Sequence, residues 1–343
     1  MKTTQLSRPV SRAGAATGQA TMKAIVQRRY GTGPRDVLAL EQVPTPAIAA
    51  NEVLVQVRAA GVDRGTWHLM AGQPYLMRLL GFGLRGPKTP VPGLDVAGTV
   101  VATGADVTRF RAGDEVFGIA SGSFAEYAAA REDKLARKPA RLSFEQAATI
   151  AVSGLAALQG LQAGGIHAGQ KALVIGASGG VGSYAVQLAK AFGAEVTGVC
   201  STGKTDLVRS IGADHVIDYT QDDFADGRQH YDLIVDIGGN SALARLRRAL
   251  TPTGTLVIAG GEGAKWTGVG RQLRALMLSP FMRQRLTMYI SRHRQADLDT
   301  LRQLIETGQV TPLIGKTYPL ADLPEAISDL QAGHARGKLA ITV

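Results

Sequence analysis

The chain has 343 residues, of which 45% are apolar and 19% charged, and it carries a formal charge of +10 with a single cysteine, Cys200. That length exceeds what one hydrophobic core organises, so two domains are expected. No apolar stretch reaches the ~20 residues of a membrane-spanning helix, and one cysteine excludes both a disulfide framework and a cysteine-rich zinc lobe.

In chain order, residues 1–21 contain Lys2, Arg8 and Arg12, no acid and no secretory apolar core, and read as a disordered tail. From Met22 the pattern is short β runs broken by Gly and Pro: "KAIVQ", "NEVLVQVRAAGV", "VAGTVVATG", "DEVFGIA" and "SFAEYAAA". Near Ser143 the texture changes to helical spacing and then to alternating strands and helices. The expected strands are "KALVIG", "EVTGVC", "HVIDY", "YDLIVDIGG" and "GTLVIAG", with helices over Tyr184 to Phe192, Thr205 to Ile211 and Ser241 to Leu250. Right-handed crossovers make this a doubly wound parallel sheet. After Gly261 a basic helical region follows, and the last strand, "KLAITV", is expected to return to the β-rich part. The fold class is therefore α/β, with a parallel dinucleotide-binding sheet at 150–285 inserted into a β-rich domain built from 22–149 and 286–343. The crevice between the two is the expected ligand site.

The segment "GASGGVG" joins strand "KALVI" to helix "SYAVQLAKAF". A tight turn there lets backbone approach a pyrophosphate, and the helix N-terminus adds free N–H donors and partial positive charge. Ser178, Gly179, Gly180, Val181 and Gly182 are the candidate contacts. An NAD-preferring site places a carboxylate at the end of the second strand, whereas "CSTGK" offers Ser201, Thr202 and Lys204 and no acid to repel a 2′-phosphate. NADPH is therefore expected, with Tyr219 closing the same pocket. The plainer alternatives are a solvated loop at Lys204 and simple packing at Tyr219.

The "MKAIV" opening, "VPGLDVAGTVVATGADVTRFRAGDEVFG", "GSFAEYA", "GASGGVG", "IGADHVIDYTQDDF" and "GKLAITV" together resemble the zinc-independent, quinone-oxidoreductase-like members of the medium-chain dehydrogenase/reductase superfamily, from Met22 to Val343. The resemblance implies a GroES-like catalytic domain and a homo-oligomer. Where zinc-dependent relatives carry a cysteine and a histidine as metal ligands, this chain has Asp63 and Leu94. Leucine cannot ligate zinc, and His68 with Asp95 lacks a third ligand, so no metal is expected. Without a Lewis acid the substrate must be electrophilic by itself, which points to quinones and α,β-unsaturated carbonyls.

The resemblance also implies that Asp63 positions the cofactor or a water, that Trp67 lines the substrate pocket, and that His68 or Tyr75 relays a proton. Solvent is the alternative proton source, Asp63 as a turn cap the plainer role, and core packing the plainer role of Trp67 and Tyr75. Gly260 and Gly261 are expected near the nicotinamide, and Lys338 is expected to reach the cofactor from the other domain.

Between Gly263 and Ala296 stand seven basic residues and no acid, interleaved with Leu273, Met277 and Phe281; "QPYLMRLLGFGLRGPKTP" is similarly basic and apolar. Either fits weak contact with an anionic membrane surface, or a subunit interface with a solvated arginine face. With 5% aromatic residues and no basic run interleaved with stacking rings, nucleic acid is not the expected partner. A single thiol makes a reducing compartment, the cytoplasm, the expected location. An NADP-dependent alcohol or carbonyl dehydrogenase and an NADPH-binding protein acting on nucleic acid remain the alternatives.

Overall fold

A computed structural model of the chain describes residues 20–76, 78–238, 241–259, 270–333 and 335–343. Residues 1–19 of the tail expected at 1–21, and the candidate cofactor residues Gly260 and Gly261, lie outside the described residues, whereas Thr21, expected in the tail, opens the first strand.

The N-terminal part runs β1 (Thr21–Gln27), α1 (Pro34–Val37), β2 (Leu38–Pro44), β3 (Glu52–Val62), α2 (Arg64–Ala71), β4 (Asp95–Thr103), β5 (Glu115–Ile119), β6 (Tyr127–Arg131), β7 (Leu135–Arg137) and α3 (Phe144–Ala147). β1 and β2 form an antiparallel ribbon. β3 alternates buried Val53, Val55 and Val57 with more exposed partners, so one face joins the core; it pairs with β4 and β6. The next part runs α4 (Ala151–Gly164), β8 (Lys171–Ile175), α5 (Gly180–Ala191), β9 (Glu195–Cys200), α6 (Thr205–Ser210), β10 (His215–Asp218), β11 (Tyr231–Asp236), α7 (Leu243–Arg248), β12 (Leu250–Ile258), α8 (Gly270–Leu278) and β13 (Arg285–Met288). Its strands stand in the order β10-β9-β8-β11-β12-β13, all parallel. The order reverses between β8 and β11, beside the glycine turn, where doubly wound sheets open their ligand crevice. The chain closes with α9 (Gln295–Glu306), β14 (Ile314–Pro319), α10 (Leu323–Gln331) and β15 (Lys338–Thr342). β15 pairs antiparallel with β3 in the β-rich sheet, as the ending "KLAITV" predicts.

β2, β7 and β14 are strands beyond those the sequence leads one to expect, and β13 extends the parallel sheet beyond residue 285 to Met288. β13 has four residues and follows the helical stretch α8, so neither length nor alternation marks it. The parallel sheet thus takes in Arg285–Met288, which straddles the boundary expected at 285.

One cluster of buried side chains, including Ala97, Phe117, Leu155, Leu158 and Val174, is continuous from the β-rich part through α4 to the parallel sheet. It fixes α4, and with it the cofactor crevice, against both sheets.

Candidate active site

The glycine turn is built by close approach. Gly176 has φ +87°, a conformation that a side chain resists. At Gly182 a Cβ would lie 2.1 Å from the Gly176 carbonyl oxygen, so helix and strand meet at glycine distance. Gly179 caps α5 without a side-chain bond, and the first turn carries no acid, which leaves an N-terminus suited to an anion.

Three groups converge on the turn from other elements. Ser153, in the first turn of α4, is buried, and its hydroxyl has no hydrogen-bond partner. A Cβ at Gly180 would stand 3.3 Å from that hydroxyl and 2.8 Å from Cδ of Lys338. Just before β15, the Gly337 N–H donates to the Ser178 carbonyl at 3.1 Å. A cradle with a bare glycine, an orphan buried hydroxyl and a cation fits a dinucleotide pyrophosphate and its neighbouring ribose.

Lys338 itself is 1% exposed. Its Nζ donates to Asp95 Oδ2 at 3.1 Å and lies 3.8 Å from Asp63 Oδ2. Asp95 also accepts the Val152 N–H on Oδ1 at 2.7 Å. Burial, opposed mainly by the Lys338 charge, raises the Asp95 carboxyl from 3.8 to about 6. One ammonium between two carboxylates keeps a buried charge cluster satisfied directly behind the glycine turn. Asp63 has a second role, since it caps α2: the Thr66 N–H donates to Asp63 Oδ1 at 3.0 Å and the Asp63 N–H donates back to the Thr66 hydroxyl.

The structure separates the other candidates on α2. A cavity of about 270 Å³ opens beside the cluster, with Thr66, Leu69 and Leu94 in its wall. Thr66 and Leu69, three apart, share a helix face, whereas Trp67, His68 and Tyr75 are not in the lining. Trp67 packs against the core of Ile25, Val37 and Leu323 with its indole N–H unpartnered. His68 sits edge-on to Trp67 with Nδ1 3.1 Å from the Gln73 carbonyl, and Tyr75 stacks on the Arg78 guanidinium at 4.8 Å. Core packing describes Trp67, whereas the half-buried Tyr75 joins no core cluster and stacks on Arg78.

At the adenosine end, Lys204 Nζ donates to the carbonyls of Gly333 and Ala335, both at 2.9 Å, and burial with the nearby Arg336 lowers its pKa. Arg336, which sequence reasoning missed, donates to the Gly203 carbonyl. Tyr219 is 57% exposed, so it is not core packing, and its backbone N–H donates to the Cys200 carbonyl, which joins the ends of β10 and β9. One expectation is corrected: an acid does stand here. Asp218 lies opposite Cys200 in the β10–β9 register. The Thr202 hydroxyl, together with Thr220 and Gln221, holds its carboxyl below the usual range. No carboxylate stands in the 200–204 segment itself, but the neighbouring strand brings one alongside.

The donor set does not fit a zinc ion. Leu94 offers no ligand, Asp63 spends one oxygen as a helix cap, and Asp95 is committed to Lys338 and Val152. Among the described residues no group of three or more His, Cys, Asp or Glu gathers to hold a metal.

Residues 49–140 match the alcohol dehydrogenase GroES-like domain family, and residues 211–341 match the zinc-binding dehydrogenase family. The chain is 31% identical over 338 residues to a chloroplast envelope quinone oxidoreductase homolog of Arabidopsis thaliana, covering 93% of this chain and 98% of that protein. The chain belongs to the quinone-oxidoreductase-like branch of the medium-chain dehydrogenase/reductase superfamily. A second member, a 2-methylene-furan-3-one reductase of Solanum lycopersicum, is 34% identical over 335 residues, covering 93% of this chain and 79% of that protein. The solved quinone oxidoreductase of Coxiella burnetii superposes with a TM-score of 0.83 at 28% identity, covering 94% of this chain and all of that one. The medium-chain dehydrogenase/reductase architecture, an oxidoreductase scaffold with a nicotinamide cofactor crevice, is thus the one described above. No helix among the described residues is long and apolar enough to cross a membrane.

Proposed function

We propose that the chain is an NADPH-dependent reductase of quinones and α,β-unsaturated carbonyls that works without a metal. Relatives bearing the names quinone oxidoreductase, 2-methylene-furan-3-one reductase and NADPH-dependent alkenal/one oxidoreductase support the reaction class. The observation that carries the metal-free reading is the Lys338–Asp95–Asp63 cluster, in which an ammonium occupies the carboxylates, with Leu94 next in sequence to Asp95; the resemblance sets Asp63 and Leu94 where zinc-dependent relatives have ligands.

Gly179 to Gly182 and the α5 N-terminus bind the pyrophosphate, the Ser153 hydroxyl supplies a hydrogen bond at the turn, and the Lys338 stem packs behind Gly180 while its ammonium is shared by Asp95 and Asp63. Lys204 and Arg336 favour the 2′-phosphate of NADPH, while Asp218, saturated by its own donors, opposes it only weakly. When bound, the nicotinamide supplies a hydride to the electrophilic carbon. The cavity beside α2 orients the substrate and excludes water from one face. The electron pair released from the C=C or quinone π system is carried by the substrate as an enolate or hydroquinone anion, which takes its proton from water at the cavity mouth. This order asks nothing of His68 or Tyr75.

The test is NADPH and NADH oxidation by chelator-treated protein against a benzoquinone, an enone, an enal and a saturated ketone. Turnover of the electrophiles with NADPH, and none of the ketone, supports the reading; turnover of the ketone alone would favour an alcohol dehydrogenase. For assembly, β13 forms the outer edge of the parallel sheet, and Met277, Phe281 and Ile290 beside it are 74%, 86% and 76% exposed, which supports a homo-oligomer. Leu79 and Leu84, 71% and 67% exposed in a basic segment, support a secondary contact with anionic membrane, read by liposome co-sedimentation at low salt. The buried thiol of Cys200 agrees with the cytoplasm as the proposed compartment.

A further inference from the structure

Resting on that reading, we infer that the cavity beside α2 selects electrophiles that carry a carboxylate on an apolar body, with Lys88 as the residue that reads the charge. The cavity, about 270 Å³, sits just below the ~300–1,000 Å³ of drug-sized sites and suits a small ring or short chain. Its wall is largely apolar, formed by Leu69, Phe82, Pro87, Val91 and Leu94, with the buried Gln27 committed to the carbonyls of Arg29 and Met70. Lys88 is the only charged residue in the lining, and among the described residues its ammonium has no hydrogen-bond or ion-pair partner.

The surrounding charge is one-sided. From Arg64 to Leu94 the chain carries Arg64, Arg78, Arg85 and Lys88 and no acid. Arg78 is engaged in the scaffold: it donates to the Ala71 and Gly72 carbonyls and lies 4.3 Å and 4.8 Å from the Tyr30 and Tyr75 rings, pinning the segment after α2. The cavity therefore presents an apolar body-binding surface with a single uncommitted cation. Lysine is a point charge without the fork of a guanidinium, and no second cation lines the wall, so one carboxylate matches it better than a phosphate dianion.

The cavity also adjoins the proposed chemistry. Thr66 in its wall is bonded to Asp63, and Leu94 in its wall precedes Asp95, so both lead directly to the Lys338 cluster. A ligand held by its carboxylate at Lys88 has its apolar end toward that cluster.

The experiment compares a cyclohexenone bearing a short alkyl carboxylate with its methyl ester, in the wild type, Lys88→Gln and Lys88→Glu. Lys88 is exposed, so both variants keep the fold, verified by an unchanged melting temperature. The expected KM is about three- to ten-fold lower for the acid than for the ester in the wild type, the worth of one partly exposed ion pair. Lys88→Gln equalises the two KM values and Lys88→Glu reverses the preference. Equal KM values in the wild type, or a preference that survives Lys88→Glu, overturns the inference. Calorimetric binding of the saturated carboxylate separates this from the reductase reading. Binding lost in Lys88→Glu, with no turnover of either enone, keeps the pocket assignment and discards the reaction; no Lys88-dependent binding and no preference discards the assignment.

Discussion

Replacing Lys338 with methionine keeps most of the side-chain volume and removes the charge that Asp95 and Asp63 share. Asp95 is fully buried, and its carboxyl is raised from 3.8 to about 6 because burial outweighs the ammonium 3.1 Å away. Native protein therefore binds more protons at Asp95 than the unfolded chain between those values, so this group's contribution to stability is present below pH 3.8 and declines as pH rises to about 6. Lys338→Met removes the strongest influence holding the value down, so the variant's Asp95 titrates higher and keeps losing stability above pH 6, at up to ~1.4 kcal/mol per pH unit. An unpaired buried carboxylate costs about 3–5 kcal/mol, which for a chain of this length lowers the melting temperature by about 5–10 °C at pH 8. At pH 5 both proteins carry a protonated Asp95, and the difference shrinks to about 3 °C or less. Scanning calorimetry from pH 5 to 8 measures this directly. Asp95→Asn in the Lys338→Met background recovers most of the loss at pH 8. A loss that is the same at pH 5 and pH 8, or that the second substitution deepens, refutes the account of a charge cluster built on mutual neutralisation.

Three further outcomes follow from the same geometry. Gly182→Ala drives a Cβ to 2.1 Å from a backbone oxygen and is expected to lower soluble yield and abolish cofactor binding, whereas Gly179→Ala, with its nearest neighbour at 3.4 Å and negative φ, keeps the fold; thermal melts and NADPH titration check the contrast. Lys204→Ala is expected to raise the Kd for NADPH about five- to ten-fold, the effect of one partly exposed charge contact, and to leave NADH nearly unchanged in a fluorescence titration. Ser153→Ala, which removes an unpartnered hydroxyl, is expected to leave the melting temperature of the unliganded protein within about 2 °C and to weaken NADPH binding in the same titration.

The turn at Gly176–Gly182 was legible because its signal is local: strand, glycines and helix follow one another, and Gly179 and Gly182 answer contacts with Gly176 a few residues away. The neighbours of the turn were less so. Asp95 and Lys338 stand 243 residues apart and meet only because β15 returns to pair with β3, which also pairs with β4, the strand that starts at Asp95. Asp218 was hidden for a related reason, since parallel pairing places it opposite Cys200 although 17 residues of sequence separate the two. On α2 the helical period decides between candidates of similar chemical appeal. Thr66 and Leu69 share the cavity face, and Trp67 and His68 between them do not; no composition rule says which face of a short helix meets the substrate. β13 escaped because four residues after a basic helix carry too little alternation to stand out.

The central claim is hydride transfer to an intrinsically electrophilic carbon with no metal taking part. Chelator-treated protein, given NADPH deuterated on the transferred face of the nicotinamide and an enone, measures it by the deuterium content of the product. The account predicts deuterium on the carbon β to the carbonyl, at a rate unchanged by metal removal or by added zinc. Transfer that stops after chelation and returns with zinc would contradict it.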